Sequence, residues 1–167
     1  RPDISRPDLF RRLLREAQAC ARLRHPNVVT VYEAGELGDV VYIVMEYLRG
    51  EDVGTLLRRG SLTFEDKIRI LVQVLDGLQH AHDEGVIHRD IKPSNVQREP
   101  DGCVKVVDFG VARMSQASPL TRSDGVLCTL DYASTQQLRG EPLDKRTDVY
   151  STGALAYELF TGRPPFK

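Results

Sequence analysis

The stretch His88-Arg89-Asp90-Ile91-Lys92-Pro93-Ser94-Asn95 gathers a carboxylate, an ammonium and a primary amide into the six positions from Asp90 to Asn95. It lies between a helix-patterned apolar segment and a short β-rich run, so it reads as a connector from a buried helix to a strand. Further along, Asp108-Phe109-Gly110 closes an apolar strand with a carboxylate, a bulky hydrophobe and a permissive backbone. This is the inventory that phosphoryl transfer needs. Carboxylate and amide oxygens suit magnesium, a cation suits phosphate, and a carboxylate accepts the proton of an attacking hydroxyl.

Such groups must be held by elements, and the spacing predicts which. From Leu9, the residues Phe10, Leu13, Leu14, Ala17, Cys20 and Ala21 recur at helical spacing, and Pro26 stops that helix. Val28 to Tyr32 and Val40 to Met45 read as an antiparallel strand pair separated by Gly35, Gly38 and Asp39. A polar hinge, Glu46 to Gly50, leads to a short helix around Val53 to Arg58. Thr63 caps the next helix, with Asp66 three residues on, and Ile68, Leu71, Leu75 and Leu78 are its expected buried stripe. Gly85 ends it. Short strands near Val96 and over Val104 to Val107 are joined by Pro100-Asp101-Gly102, and Ala112 to Thr129 reads as a loop. Val149 to Phe160 is apolar nearly all round, which predicts a buried helix closed by Gly162 and Pro164-Pro165.

Composition narrows the function classes. The 167 residues carry a net charge of −1 and 28% charged residues, so no field draws in nucleic acid or an anionic membrane. Hydrophobic residues at 41% suit an ordinary folded domain. Cys20, Cys103 and Cys128 lie far apart with no CxxC pair, which predicts reduced thiols rather than a zinc site. No apolar run approaches the roughly 20 residues of a membrane span.

In order and context, the two chemistry-bearing stretches resemble the catalytic loop and metal-binding loop of eukaryotic-type (Hanks-type) serine/threonine protein kinases. His25-Pro26-Asn27-Val28-Val29 is similar to the segment after the kinase C-helix, Val44-Met45-Glu46-Tyr47 to the strand and hinge lining the adenine pocket, and Asp148 to Gly153 to the start of the buried F-helix. Tyr42 to Tyr47 and Gly162-Arg163-Pro164-Pro165-Phe166 resemble bacterial members. The resemblance implies an α+β, protein-kinase-like two-lobed fold, incomplete. Residues 1–46 would be a partial N-terminal lobe with the C-helix and two strands, and residues 47–167 a partial C-terminal lobe up to the F-helix.

It also implies roles. Asp90 would accept or orient the proton of a Ser or Thr hydroxyl, Lys92 would steady the transferring phosphate, and Asn95 and Asp108 would hold Mg2+. Met45 would be the gatekeeper, Glu46, Tyr47 and Leu48 would offer backbone groups to the adenine of ATP, and Glu16 would pair with an ATP-anchoring lysine. His88 and Phe109 would stack in a spine beneath Cys20 and Val31, and Asp148 would tether the catalytic loop. Taken alone, Asp148 reads as a helix cap and Glu16 as a solvated helix residue. Arg89 would pair with a phosphate on the activation loop, where Ser115, Ser118, Thr121 and Ser123 are candidates, Thr121 or Ser123 foremost.

Three departures stand against that pattern. No glycine-rich loop or lysine-bearing strand precedes the C-helix segment, Cys128-Thr129 replaces the usual Gly-Thr, and Ser134-Thr135-Gln136 replaces Ala/Ser-Pro-Glu. The chain alone is therefore expected to be a poor enzyme of low stability. The expected partners are ATP and a protein substrate, the expected location is the cytoplasm, and a segment beyond the kinase domain tethers many bacterial members to the membrane. A second reading, a pseudokinase or scaffold module, draws on Cys128, Thr135 and Gln136.

Overall fold

The computed structural model describes residues 17–38, 40–109 and 130–166. Glu16, Ser115, Ser118, Thr121, Ser123, Cys128 and Thr129 lie outside the described residues, as does the loop expected from Ala112 to Thr129.

Residues 17–20 are helical and end in turns before Pro26. Strands β1 (Val31–Leu37) and β2 (Val40–Met45) pair antiparallel, with an irregularity between Val31 and Glu33. The first strand thus starts later than its apolar run suggests. Val28 and Val29 instead join the second sheet: Val28 bridges Val106 in parallel, and the Val29 N–H donates to the Val106 carbonyl at 3.0 Å. Gly35 lies within β1 rather than in the turn, where the phenol of Tyr42 crosses the space a Cβ would fill. Gly38, at φ 59°, makes the turn.

The second sheet is antiparallel and ordered β3 (Glu51–Asp52), β4 (Val96–Arg98), β5 (Val104–Val106). Helix α1 (Val53–Arg59) follows β3 directly; Asp52 caps its start and Gly60, at φ 65°, its end. Helix α2 (Phe64–Asp83) opens with the expected capping box, Thr63 accepting from the Asp66 N–H and Asp66 from the Thr63 N–H. Its buried stripe is rotated from the expected one. Ile70, Val74, Gly77, Leu78 and Ala81 face inward, while Ile68 and Leu75 are exposed. Apolar residues occupy both faces of this helix, so periodicity alone admits two stripes. Gly77 breaks the tie, because a Cβ there would sit 2.7 Å from the Asn27 carbonyl, so only a glycine lets α2 lie against the connector.

A 3-10 turn (Pro93–Asn95) leads into β4, the short helix α3 (Thr135–Arg139) follows the undescribed segment, and α4 (Arg146–Thr161) completes the elements. Helix α4 is not buried all round. Val149, Tyr150, Tyr157 and Phe160 are exposed, and its inward face mixes Ala154, Leu155 and Leu159 with Thr147, Asp148, Ser151 and Thr152. The hydroxyls are satisfied along the helix, Ser151 donating to the Thr147 carbonyl at 3.1 Å and Thr152 to that of Asp148 at 2.7 Å. The core joins Leu78 and Ala81 of α2 to Leu155 and Leu159 of α4 and to Ile91, Val96, Val104 and Val106, beneath Cys20, Leu23 and Val31.

Candidate active site

The segment between α2 and β4 has no regular ladder until Pro93, so its backbone groups need partners elsewhere. Buried Asp148 at the start of α4 supplies them. One carboxylate oxygen accepts the His88 N–H at 2.9 Å, the other the Arg89 N–H at 2.7 Å, and His82 Nε2 lies 2.7 Å from the first. Asp148 is therefore a tether as well as a first-turn acidic residue. The anchorage is needed because Arg89 holds φ 72°, a left-handed conformation costing of order 1–3 kcal/mol for a residue with a side chain. His88 continues the support. Its Nδ1 accepts the Asp90 N–H at 3.2 Å and its Nε2 donates to the Val107 carbonyl at 2.8 Å, a pairing only the neutral ring makes. Burial pushes its pKa down, more than the bond to Val107 and the nearby Asp148, Asp90 and Asp108 carboxylates push it up.

On this support the predicted residues converge. Asp90 is buried, and Lys92 Nζ lies 2.7 Å from its Oδ2. Asn95 Nδ2 donates to the Asp90 carbonyl at 2.9 Å and to its Oδ2 at 3.0 Å. Two acceptors on that side fix the amide orientation and leave Asn95 Oδ1 open to another ligand, with only the Ser94 hydroxyl, at 3.5 Å, bonded to it among the described residues. The Val107 N–H donates to the Asn95 carbonyl at 3.0 Å, so the residue before Asp108 is bonded to the loop at both its N–H and its C=O. Asp108 itself sits at φ 63°, is exposed, and accepts no hydrogen bond from another described residue. An open amide oxygen and an open carboxylate are the hard donors a magnesium ion takes.

Above Asp108 lies an apolar cleft whose walls include Cys20, Val31, Met45, Asp108 and Phe109. The Phe109 and His88 rings meet edge to face at 4.5 Å, Cys20 Sγ lies 3.3 Å from the Phe109 carbonyl, and Val31 lines the same cleft. Along the hinge, Tyr47 is exposed and Leu48 half-buried. Glu46 turns its side chain inward, accepting from Lys105 Nζ at 2.8 Å and from the Thr30 N–H at 2.6 Å, while its own N–H donates to the Thr30 carbonyl at 2.9 Å.

A family model described as the protein kinase domain matches residues 3–167. The chain belongs to the protein kinase family. It is 42% identical to a probable serine/threonine-protein kinase PknB of Bifidobacterium longum, over 99% of this chain and 26% of that protein. It is 39% identical to the serine/threonine-protein kinase PrkC of Bacillus subtilis, over 95% of this chain and 25% of that protein. Its structure superposes on the crystal structure of the Mycobacterium tuberculosis PknI kinase domain with a TM-score of 0.78 at 28% identity, over 96% of this chain and 59% of that one. The chain thus spans about a quarter of the length of these curated relatives, and its resemblance is to bacterial kinases of the serine/threonine type.

Within the kinase fold, the sequence reading missed three residues that hold the site. Glu99, at the β4–β5 turn, accepts the Arg49 and Gly50 N–H groups at 3.1 and 2.9 Å, and so ties down the hinge's far end as Lys105 ties down its near end. Gln137 of α3 donates to the Arg89 carbonyl at 2.6 Å. A signal existed for Lys105, which stands between the buried Val104 and Val106 in a period-2 strand and so must point to the opposite face. None existed for Glu99, whose partners lie far off in sequence; for Gln137 the Ser134-x-x-Gln137 spacing signals a capping box but not the distant Arg89 partner. The sequence drew attention to Gln136 instead, and that residue is exposed.

Proposed function

We propose that the protein carrying this chain transfers the γ-phosphate of ATP to Ser or Thr hydroxyls of protein substrates. The observation that carries the reading is the Asp90 carboxylate, buried yet ionically paired at 2.7 Å to Lys92 and oriented by the Asn95 amide at 3.0 Å. Asp90 takes the proton as the hydroxyl O–H bond breaks and the oxygen bonds to the γ-phosphorus; ADP departs with the electrons of the cleaved P–O bond. Lys92, whose Nζ lies 2.7 Å from that carboxylate, balances charge on the moving phosphoryl group. Asn95 Oδ1 and the Asp108 carboxylate are the groups that would hold Mg2+, which supplies charge neutralisation on the phosphates when bound.

The adenine would lie in the cleft below β1 and β2, beside Met45 and against the backbone of Glu46, Tyr47 and Leu48, with residues up to 46 above it and those from 47 below. Glu16 would face an ATP-anchoring lysine. ATP supply assigns this chemistry to the cytoplasm, and among the described residues no helix is long and apolar enough to cross a membrane.

The test is a Mg-ADP thermal-shift titration of the full-length protein beside Asp108→Ala, followed by a phosphotransfer assay with Asp90→Ala. The wild type should be stabilised by the nucleotide and the Asp108 variant should not; Asp90→Ala should keep nucleotide binding and lose transfer. A well-folded protein with no shift would favour a scaffold role instead.

A further inference from the structure

The peptide that enters Asp90 is gripped on both edges. Its N–H, that of Asp90, donates to His88 Nδ1 at 3.2 Å, and its carbonyl, that of Arg89, accepts from Gln137 Nε2 at 2.6 Å. The preceding peptide is held by Asp148 through the Arg89 N–H at 2.7 Å. Asp148 and His88 account for the N–H groups here, and Gln137 is what fixes the carbonyl. Because Arg89 sits at φ 72°, rotation of this peptide is the easiest relaxation open to it, and that rotation would swing the Asp90 carboxylate off Lys92 and Asn95.

Gln137 is well placed for this duty because its own amide has no freedom. Oε1 accepts the Ser134 N–H at 2.9 Å while Ser134 Oγ accepts the Gln137 N–H at 3.3 Å, the reciprocal capping box of α3. With the oxygen committed to the cap, the nitrogen must face the loop. The cap in turn is anchored to α4: Ser134 is fully buried, Ser151 Oγ donates to the Tyr132 carbonyl at 2.8 Å, and the Tyr132 hydroxyl bonds to Glu158. A rigid path therefore runs from α4 through residues 132–137 to the carbonyl beside Asp90.

We propose that Gln137 is a positioning residue for Asp90, and that helix α3 is a second support of the catalytic loop beside Asp148, anchored like it to α4. The proposal rests on reading Asp90 as the proton acceptor. It makes the fold of α3 a condition for transfer while leaving nucleotide binding alone.

The decisive variant is Gln137→Glu, assayed in the full-length protein. Glutamate keeps an oxygen for the Ser134 N–H, so the cap survives, but it sets a second oxygen against the Arg89 carbonyl where a donor stood. Displacement of a reacting group by a fraction of an ångström to one ångström costs up to about a hundredfold. We therefore expect kcat to fall about ten- to a hundredfold, with KM for ATP within about twofold of wild type and a melting temperature lowered less than in Gln137→Met. Gln137→Met, which loses cap and donor together, should lower kcat similarly and melt earlier as well. Wild-type kcat in Gln137→Glu would overturn the proposal, and so would a loss that appears only as raised KM. Hydrogen–deuterium exchange across residues 86–92 gives a second readout, free of catalysis. If the wild type transfers no phosphate, faster exchange in Gln137→Glu would keep Gln137 as the loop's support and sink only the role given to Asp90. Unchanged exchange would overturn the proposal itself.

Discussion

Glu46 would serve the proposed adenine site without turning its side chain to the ligand. Met45, the proposed gatekeeper, precedes it, and the hinge backbone that follows would meet adenine. Its N–H and its carboxylate are both consumed within the protein, by Thr30 and Lys105. Burial alone would raise the carboxyl pKa, but the Lys105 ammonium and the Thr30 N–H outweigh it and hold the group below its ordinary 4.5. Both side chains of the pair are mostly buried, at 15% and 21% exposure, so the contact is poorly screened and worth more than a surface pair. Lys105→Met should strand that carboxylate and lower stability by about 1.5–3 kcal/mol, the value of a hydrogen bond to a charged group. It should also weaken ADP binding several-fold by freeing the hinge. Lys105→Arg should restore most of both. Urea denaturation and calorimetric titration of the two variants check this; ADP affinity untouched in Lys105→Met would show that the hinge does not depend on the pair.

At the scale of elements, the loop carrying Asp90 is held by helices on two sides rather than by a ladder of its own. Asp148 of α4 answers two loop N–H groups and His82 with one fully buried carboxylate. Removing that carboxylate would leave the two loop N–H groups without an acceptor, at about 1–3 kcal/mol each. Asp148→Ala should therefore remove a large part of the roughly 5–15 kcal/mol that keeps a domain folded, and Asp148→Asn, which keeps one acceptor oxygen, should cost less; thermal melts of the pair decide it. This architecture also separates what the sequence displays from what it hides. The capping box of Thr63 and Asp66, the β4–β5 hairpin at Pro100-Asp101-Gly102 and the cluster of Asp90, Lys92 and Asn95 were legible, because each is set by neighbours along the chain. The inward stripe of α2 was not, because Ile68 and Ile70 are equally apolar and the choice falls to Gly77 meeting Asn27 from far away. Nor was the mixed face of α4, where Thr147, Ser151 and Thr152 are buried because backbone carbonyls one turn back accept the two hydroxyls of Ser151 and Thr152. Gln137 was legible only as the far end of the Ser134 capping box, because its other partner, Arg89, lies 48 positions earlier.

The molecule as a whole should lose stability in acid in two separable steps. His88 is neutral in the fold, its pKa lowered by burial, and exposed to water on unfolding it would return to its ordinary 6.5. The same holds for His25, lowered by burial first and by the stacked His80 and Lys105, against the opposing pull of Asp76. Below 6.5 the unfolded chain therefore binds more protons than the native one, so unfolding grows easier as pH falls. Above that value the contribution of these rings is fully present. Carboxylates act lower on the scale. Glu46 is held below 4.5 and Asp66, bonded to Thr63, below 3.8, so their stabilisation persists until pH falls below those values and is lost only as it passes their folded pKa. Urea midpoints taken between pH 7.5 and pH 3.5 should thus decline first in the histidine window and again in the carboxylate window. In His88→Phe the protein should be less stable throughout, since the Val107 carbonyl and the Asp90 N–H lose their partner, yet its first decline should be shallower than that of wild type. The second decline should be unchanged, because no carboxylate responsible for it touches that ring. A wild-type midpoint that stays level from pH 7.5 to pH 5.5 would mean that His88 takes up its proton inside the fold, which the bond from the Asp90 N–H to its Nδ1 forbids without first releasing the loop.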